Sequence, residues 1–515
     1  MRKLIYMACL LLFVVGTTRG QQILYGFAGQ NTAPNYTTEV VNYIENLNSD
    51  FVIDFCQYKY TGPAPQVDID NIINLRNSIE AGGKKLYLIY SFDARNVQTI
   101  EDNFYAFDKF ITAGINIIAA RMGNEEWAKV AHNNNWALYE THFSPIIIQL
   151  ELKGFQGKII FPIRRPAEAG SWNTSAIAFI NSSSQYEPDC HPYYNKESAP
   201  VLIDIDAGRS LPQEITTSNG YLADKDVFYK TLYNEITTSN FYEEFISYHR
   251  ENFPAKKLWI TEFGPAVGVG PISGALGYEA SFAWFLNQTM QDGDVIAAVC
   301  RFNGPGITGS ITPVSKTDIP GTGFIKRLGY YTLAQFLRNQ TTTTLPVTPI
   351  AQAGSFVFSY ANMTRIAIEA EGLIPVSEGF YISEFEYEHL SGENYYSSSG
   401  SCQWWAVGSD KTYEISGSLF SDGIPALSYG YIHVTVSRME IIGCRDTAYI
   451  DYDPLATASG LCLDKKVYGS LETNCQNYNP LANIIVPCIA YPQPCMKKRW
   501  LFSGCKVAKR NCDCN

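Results

Sequence analysis

The sequence predicts an α/β fold made of a (β/α)8 TIM barrel, then an antiparallel β-sandwich and a small disulfide-rich tail. Three observations predict this order. Apolar runs alternate with helical patterns about eight times over roughly 300 residues, which is typical of a (β/α)8 barrel. Short alternating segments begin near residue 342, and eight cysteines crowd into the final 72 residues. We therefore expect a signal peptide at 1–20, the barrel at 21–340, the sandwich at 341–440 and a cysteine-rich module at 441–515.

Eight apolar runs are the predicted barrel strands. Most are continuous rather than alternating, which indicates parallel strands buried on both faces. The runs span residues 23–29, 51–58, 85–92, 115–122, 158–164, 188–195, 258–263 and 295–302. An open doubly wound sheet is the alternative, but it needs a Gly-rich phosphate loop after its first strand, and residues 26–30 (GFAGQ) match one poorly.

The sixth strand has two candidates, residues 188–195 (PDCHPYYN) and residues 201–206 (VLIDID). We favour the first, because His191 and Tyr193 would then lie at the C-terminal end of a strand. Helical patterns lie between the strands, with Gly82-Gly83 as a stop signal for the second. The clearest of these patterns are residues 38–47, 69–83, 223–253 and 328–337.

The sandwich is predicted from strands of a different texture. A Thr-rich joint at 341–349 leads into segments that alternate apolar and polar residues, the period of strands with one solvated face. These segments are 355–361, 364–372 and 429–437.

The N-terminus reads as a secretory signal peptide, so we expect a secreted, extracellular protein. Arg2 and Lys3 precede an apolar core at 4–15 that is too short to span a bilayer. No later stretch reaches about 18 apolar residues, so no transmembrane segment is expected. The net charge of −11 argues against a nucleic-acid partner.

Six Asn-x-Ser/Thr sequons predict a glycoprotein if the host is eukaryotic, and mean nothing in a bacterium. They begin at Asn35, Asn173, Asn181, Asn287, Asn339 and Asn362.

The cysteines of the tail predict disulfide bonds. An even, dense set in an exported chain is typical of a disulfide module, and eight cysteines allow 105 pairings, so the pairing stays open. A zinc site is the alternative, but the tail from residue 441 contains no histidine.

Two glutamates follow buried strands at the end where barrels keep their active sites. Glu125 comes after the fourth strand in Gly123-Asn124-Glu125, and Glu262 ends the seventh in residues 257–265 (KLWITEFGP). Two carboxylates on separate strands suggest the catalytic pair of a glycosidase. Glu126 is adjacent, but strand alternation lets one of the two face the barrel axis, and the Asn-Glu pattern selects Glu125. The alternative for either glutamate is a structural ion pair.

In this order the motifs resemble the clan A retaining glycoside hydrolases. The resemblance covers roughly residues 22–440 and includes His191 and Tyr193, which look like the His-x-Tyr of strand six. It implies that Glu125 is the acid/base, that Glu262 is the nucleophile oriented by Tyr193, and that Asn124 holds the sugar 2-hydroxyl. His191, Trp127 and Arg301 join them as substrate-binding candidates, Arg301 standing where many relatives carry a tryptophan under the sugar.

A retaining mechanism predicts carboxyl groups about 5–5.5 Å apart. We expect the charge of Glu262 to keep Glu125 protonated until the glycosyl-enzyme forms. The mechanism requires neither a metal nor a cofactor. Several arginines near strand ends could recognise an acidic glycan or pair with carboxylates of the barrel rim. They are Arg95, Arg164, Arg165 and Arg301.

Residues 443–462 resemble Gly-Cys-x-Asp modules found at the ends of secreted multidomain proteins, with a degenerate second copy at 475–488. This implies attachment to a matrix or cell wall. The sequence thus favours a secreted retaining glycoside hydrolase that cleaves a β-linked extracellular or cell-wall polysaccharide. A non-catalytic glycan-binding or structural matrix protein on the same barrel is the alternative. A protease or esterase lacks support, because no Gly-x-Ser-x-Gly or His-Glu-x-x-His occurs.

Overall fold

The computed structural model forms two compact units, Met1–Ser437 and Arg438–Asn515, each described by itself below. The residues that the structure describes are 23–28, 38–166, 169–192, 233–234, 237–238, 240–263, 276–301, 314–316, 324–326, 328–341, 343–364, 367–369, 373–391, 394–396, 404–406, 415–418, 424, 426–439, 442–450, 452–454, 456, 458–463, 465–477 and 479–489.

Eight parallel strands close into a barrel in chain order, which confirms the predicted fold class. The strands are β1 (Leu24–Phe27), β2 (Phe51–Cys56), β3 (Leu86–Phe92), β4 (Asn116–Met122), β5 (Lys158–Ile163), β6 (Tyr186–Cys190), β7 (Leu258–Phe263) and β8 (Ile296–Arg301). β8 pairs with β1 and so leaves no open edge. β6 overlaps the favoured sixth strand at residues 188–190 and begins two residues earlier than predicted. The competing run at 201–206 lies outside the described residues.

A helix follows each strand in the described parts of the chain. These helices are α1 (Thr38–Glu45), α2 (Gln66–Ala81), α3 (Ile100–Thr112), α4 (Trp136–Leu152), α5 (Gly170–Ile180), α6 (Phe241–Asn252), α7 (Leu276–Gln291) and α8 (Leu328–Asn339). Two of these helices have an N-terminal side-chain cap. The Thr99 side chain accepts from the Asp102 amide at the start of α3, and the Asn135 side chain accepts from the Leu138 amide at the start of α4. Of the helix-like pattern 223–253, much of the first half lies outside the described residues.

The interior of the barrel changes from apolar to charged along its axis. Small and branched side chains fill the middle, among them Ala119 on β4. Because side chains alternate along a strand, the residue two positions on also points inward. On β4 this next inward residue is Arg121, and the corresponding inward residue on β2 is Asp54. Both side chains are fully buried. The C-terminal half of the barrel therefore encloses charges that need partners.

The β domain after the barrel is antiparallel, as predicted. Its four-stranded sheet has the order β11 (Gly354–Asn362), β16 (Ser428–Arg438), β12 (Phe380–Ser391), β15 (Ile415–Ser418). Short two-stranded pairs join β9 (Val314–Lys316) to β10 (Phe324–Lys326) and β13 (Asn394–Tyr396) to β14 (Trp404–Ala406).

Buried hydroxyls join the sheet to the barrel helices. Tyr429 Oη lies 2.6 Å from Thr332 Oγ1 of α8, and Tyr431 Oη donates to Asn287 Oδ1 of α7 at 3.3 Å. The barrel and the sheet thus belong to one compact unit.

The second unit contains two disulfides, Cys444–Cys462 and Cys475–Cys488, so the predicted disulfide module is confirmed for these four cysteines. The other four, Cys495, Cys505, Cys512 and Cys514, lie outside the described residues.

The two disulfide-bonded segments repeat one backbone pattern at a spacing of 26 residues. β17 (Ile442–Gly443) pairs in parallel with β18 (Ala458–Ser459), and β19 (Tyr468–Gly469) pairs in the same way with β20 (Ile484–Ile485). The amide of Asp453 donates to the carbonyl of Cys444, and that of Asn479 to Ser470. These matched bonds support the second copy that the sequence suggested.

Within the described residues, no helix combines the length and the apolar character needed to cross a membrane.

Candidate active site

An irregularity in β7 turns two consecutive side chains toward the inside of the barrel. The pairing of β7 with β8 shifts register between Ile260 and Phe263, which lets neighbours depart from strict alternation. Thr261 Oγ1 contacts His191 Nε2 at 3.0 Å, and Glu262 Oε1 lies 3.9 Å from Arg121 Nη1. Phe263 then points outward and stacks on Phe285 of α7. This local arrangement brings Glu262 into the charged half of the barrel.

Glu125 lies in a tight turn rather than on a strand. Gly123 and Glu125 both have positive φ, 78° and 50°, directly after β4. A short 3-10 helix, Glu126–Ala128, begins immediately afterwards. The left-handed conformation of Glu125, which is uncommon for a non-glycine residue, points its carboxylate away from that of Glu126. The turn, and not strand alternation, therefore separates the two glutamates.

Arg121 links the carboxylates of the site. Its guanidinium donates from Nε to Asp189 Oδ2 at 2.7 Å and from Nη1 to Asp54 Oδ2 at 2.8 Å, and all three side chains are fully buried. Nη2 donates to the Asn124 side-chain oxygen. Burial alone would lower the pKa of Arg121, but the charges of Asp189 and Asp54 raise it well above its ordinary value. Arg121 thus stays positive and fixes carboxylates from β2 and β6.

His191 lies between the two predicted catalytic glutamates. Its Nδ1 is 3.3 Å from Glu125 Oε1 and 3.7 Å from Glu262 Oε2, so these two oxygens are at most about 7 Å apart. Its Nε2 is 3.0 Å from Thr261 Oγ1 and 2.6 Å from Arg121 Nη2. The structure therefore brings Asn124, Glu125, His191 and Glu262 together at the C-terminal end of the barrel.

Protonation of the site follows from these contacts. Burial would lower the pKa of His191, but the charges of Glu262 and Asp189 and hydrogen bonds to Asp189 and Glu125 raise it to about 10. Burial would raise the pKa of Glu125, but the hydrogen bond and charge of His191, with Lys129 and Arg121, lower it overall. This is opposite to the expectation that Glu262 keeps Glu125 protonated. The physical reason is that a histidine, which prefers the charged form here, lies between the two carboxylates.

The remaining predicted residues are placed differently. Tyr193 lies outside the described residues. Trp127 is half-buried on the 3-10 helix, with its ring against Trp172 at a centroid distance of 6.2 Å. The roles of both in substrate binding stay predictions.

Arg301 points out of the barrel rather than into it. Cys300, the preceding residue, faces the interior, so alternation turns Arg301 toward the helices. There it donates to both carboxylate oxygens of Glu279 on α7, at 3.0 and 2.5 Å, and its guanidinium carbon lies 4.6 Å from the ring centroid of Phe282. Arg95 likewise pairs with Asp93 at 2.7 Å. These two arginines therefore pair with carboxylates of the protein, which was the alternative to recognition of an acidic glycan.

Sequence reasoning missed Arg121, Asp54 and Asp189, which organise the site. For Arg121 and Asp54 the available signal was a single charged residue inside an apolar strand run, because a buried charge requires a partner. Asp189 had no such signal, because its strand also carries Glu187. Sequence reasoning also missed Tyr58, a buried residue after β2 whose hydroxyl has no hydrogen-bond partner among the described residues. The charges of Glu262 and Arg121 act on this hydroxyl, although burial is the main cause that raises its pKa.

A large cavity lies away from this site. It has a volume of about 950 Å³ and opens at the opposite end of the barrel, where Leu24, Tyr87, Lys158 and Trp259 begin or nearly begin their strands. Segments that follow β6, β7 and β8 at the charged end lie outside the described residues. We place the candidate active site at the charged end because the acids and bases converge there.

Neither a protein-family profile nor a curated protein sequence matches this chain. Several solved structures are similar to it, among them two glycoside hydrolases. The GH51 arabinofuranosidase from Xanthomonas axonopodis pv. citri is 10% identical, with a TM-score of 0.45, over 77% of this chain and 90% of that one. The catalytic domain of GH30 xylanase C from Talaromyces cellulolyticus is 12% identical, with a TM-score of 0.42, over 81% and 98%. Similarity at this level does not identify an activity.

Proposed function

We propose that this protein is a secreted retaining glycoside hydrolase that cleaves a β-linked extracellular or cell-wall polysaccharide. The observation that carries the proposal is the placement of Glu125 Oε1 and Glu262 Oε2 at 3.3 and 3.7 Å from the same ring nitrogen of His191. Two carboxylates this close, at the C-terminal end of a closed barrel, suit attack and proton transfer on opposite sides of one glycosidic bond.

In the first step a carboxylate oxygen of Glu262 bonds to the anomeric carbon, while the bond from that carbon to the leaving oxygen breaks. Glu125 gives its proton to the leaving oxygen. In the second step Glu125 takes a proton from water, the water oxygen bonds to the anomeric carbon, and Glu262 is released as a carboxylate. In this proposal Asn124, whose side-chain oxygen accepts from Arg121, binds the sugar hydroxyl next to the reacting carbon.

The first step requires a proton on Glu125, which is ionised in the free protein. His191 supplies one, because its Nδ1 lies 3.3 Å from Glu125 Oε1. Movement of this proton along the hydrogen bond converts the ion pair into a neutral pair. A bound sugar that excludes water favours the neutral pair, since both charges lose solvation. We therefore assign to His191 the role of keeping a proton available to the acid/base.

The predicted signal peptide and the two disulfides of the tail support export, since disulfides persist in oxidising compartments. In this proposal the tail attaches the enzyme to a matrix or cell wall. Its two disulfide-bonded repeats form a compact unit of their own, a division that suits a separate attachment module.

The test is hydrolysis of a panel of β-linked polysaccharides by the purified mature protein, beside Glu125→Gln and Glu262→Gln. Proton NMR of the first product reports its anomeric configuration. We expect retention of configuration, and a loss of about 10²-fold or more in each variant, with circular dichroism showing that both fold. Inversion of configuration would contradict the double displacement. Glycan binding without turnover in the unmodified protein would favour a non-catalytic matrix protein instead.

A further inference from the structure

The turn that carries Glu125 is held from behind by a buried carboxylate and a buried histidine. Glu126 is 1% exposed and His132 is fully buried. The Glu126 carboxylate accepts the Asn124 amide through Oε1 at 2.8 Å, and its Oε2 lies 3.0 Å from His132 Nδ1. One side chain thus bonds to the backbone just before Glu125 and lies within ion-pair distance of the ring that follows the 3-10 helix. The same ring nitrogen is 3.3 Å from the Glu126 backbone carbonyl.

His132 joins this turn to two other parts of the barrel. Its Nε2 lies 2.9 Å from the Ala94 carbonyl, in the segment after β3, and 3.0 Å from His142 Nδ1 on α4. A carbonyl oxygen only accepts, so Nε2 carries a hydrogen and donates it to the Ala94 carbonyl. The ring also packs edge-on against Tyr139, whose hydroxyl donates to the Met122 carbonyl at the end of β4. The turn is therefore tied to β3, β4 and α4.

The backbone of the turn requires such support. Glu125 is in the left-handed conformation, with φ 50° and ψ 46°, which is unfavourable for a non-glycine residue. Gly123 also has a positive φ, and a Cβ there would lie 2.1 Å from Glu126 Oε1. The Glu126 side chain thus lies directly against the Gly123 backbone. Residues held in such conformations persist where surrounding contacts over-determine them.

From these contacts we propose that Glu126 and His132 are positioning residues that hold the Glu125 carboxylate in place for proton transfer. The inference rests on the proposed function, because it assigns to them the alignment of the acid/base. Neither touches the substrate in this account. Displacement of a catalytic group by about 1 Å can cost about 10²-fold in rate, so a change behind the turn acts on catalysis through Glu125.

The variants are chosen to remove the contacts in steps. Glu126→Gln keeps an oxygen for the Asn124 amide and replaces the carboxylate oxygen opposite His132 with an amide nitrogen. Glu126→Ala removes both contacts. The matched control is His249→Gln, which alters another buried histidine of the barrel. His249 lies on α6, and its ring bonds to the Lys256 carbonyl at 3.1 Å.

The activity measurement compares aryl β-glycosides with poor and good leaving groups, unsubstituted phenyl and 2,4-dinitrophenyl. Only the poor leaving group needs a proton from Glu125. We expect Glu126→Ala to lower kcat/KM, which reports the first step alone, by about 10²-fold for the phenyl glycoside and by a several-fold smaller factor for the dinitrophenyl glycoside. Glu126→Gln should give a smaller loss of the same kind. Equal losses on both substrates, in proportion to any loss of Tm, would overturn the proposal.

Hydrogen exchange followed by mass spectrometry tests the same inference without activity. Peptides covering residues 123–132 should exchange at least about 10-fold faster in Glu126→Ala, as expected when a local structural unit opens more readily, and should be unchanged in His249→Gln. Unchanged exchange in Glu126→Ala would overturn the proposal. Absence of turnover in the unmodified protein would end the proposed function, while the exchange result would still decide whether Glu126 holds the turn.

Discussion

Replacing Arg121 with methionine tests whether its charge holds the barrel interior together. Methionine keeps much of the side-chain length and removes the guanidinium. In the folded protein that group lies 2.7 Å from Asp189, 2.8 Å from Asp54 and 3.9 Å from Glu262, and all of these side chains are buried. Removing one partner of a buried ion pair costs about 3–5 kcal/mol. We expect Arg121→Met to lower the free energy of unfolding by about this amount at pH 7.

The loss should grow with pH. Burial would raise the pKa of Asp189, but Arg121 and His191 lower it from 3.8 to about 2. A carboxyl with a lowered pKa in the folded state stabilises the fold above its unfolded value and loses this as the pH falls through about 2. For Asp189 the shift corresponds to about 2 kcal/mol. Without Arg121, burial raises the pKa of the Asp189 carboxyl with less opposition. The folded variant then keeps a proton on this group that the unfolded chain releases above about pH 4. The variant should therefore become less stable toward pH 7.

Urea unfolding at pH 3.5, 5 and 7 measures the difference between the two proteins. The matched control is Arg250→Met, because that arginine is 49% exposed beside Asp292 and Asp294, and an exposed pair contributes about 1 kcal/mol or less. The reasoning predicts a large difference for Arg121→Met at pH 7 that shrinks toward pH 3.5. A difference below about 1 kcal/mol, or one that does not change with pH, would refute it.

Three further predictions concern other residues. Because the pKa of His191 is about 10 in the fold against an ordinary 6.5, stability should fall by about 1.4 kcal/mol per pH unit between these values. Urea unfolding of His191→Asn should show no such dependence of stability on pH. If the stability of the unmodified protein does not change over this pH range, the ring is neutral and accepts a hydrogen bond from Arg121. Gly329→Ala should cost about 1–3 kcal/mol, because the new Cβ would lie 2.8 Å from the Arg301 guanidinium pinned by Glu279. Gly62→Ala, with nothing within 4 Å, is the control, and equal urea midpoints for the two variants would refute the packing argument. The sequon asparagines Asn173, Asn287 and Asn362 are buried. After expression in a eukaryotic secretory host, peptide mapping should therefore find no glycan on them, and a glycan on any of the three in folded protein would contradict their burial.

The barrel could be predicted because its strands are buried on both faces. Such strands must be continuous apolar runs, and the run at 258–263 coincides with β7 as Leu258–Phe263. The sixth strand was harder, since its sequence carries Glu187, Pro188 and Asp189. There the position of His191 at a strand end decided correctly. The sequence therefore locates strands well wherever burial alone selects the residues.

The partners inside the site could not be predicted, because they depend on which strands face one another across the barrel. Arg121 lies 67 positions after Asp54 and 68 before Asp189, and no local pattern relates them. The pairing of Arg301 with Glu279 could not be predicted for a related reason. One position along a strand reverses the direction of a side chain, so the last residue of β8 points at α7 instead of the barrel axis.

The choice of Glu125 over Glu126 followed a sequence pattern, although the physical reason lies in the backbone. The positive φ of Gly123 and Glu125 turns the chain, and Glu126 then packs behind the turn against His132. Glycine at 123 was a visible signal for such a turn. No sequence signal indicated the left-handed conformation of Glu125 itself, because contacts with residues outside the turn hold it.

Covalent trapping of the nucleophile tests the central claim most directly. The purified protein is incubated with 2,4-dinitrophenyl 2-deoxy-2-fluoro-β-glycosides of gluco, galacto and xylo configuration, which form a slowly hydrolysed glycosyl-enzyme with retaining enzymes. Mass spectrometry of the intact and digested protein then locates the label. We predict one fluoroglycosyl group on Glu262, and no label in Glu262→Gln. A label on another residue, or no label from a sugar that the protein demonstrably binds, would contradict the account.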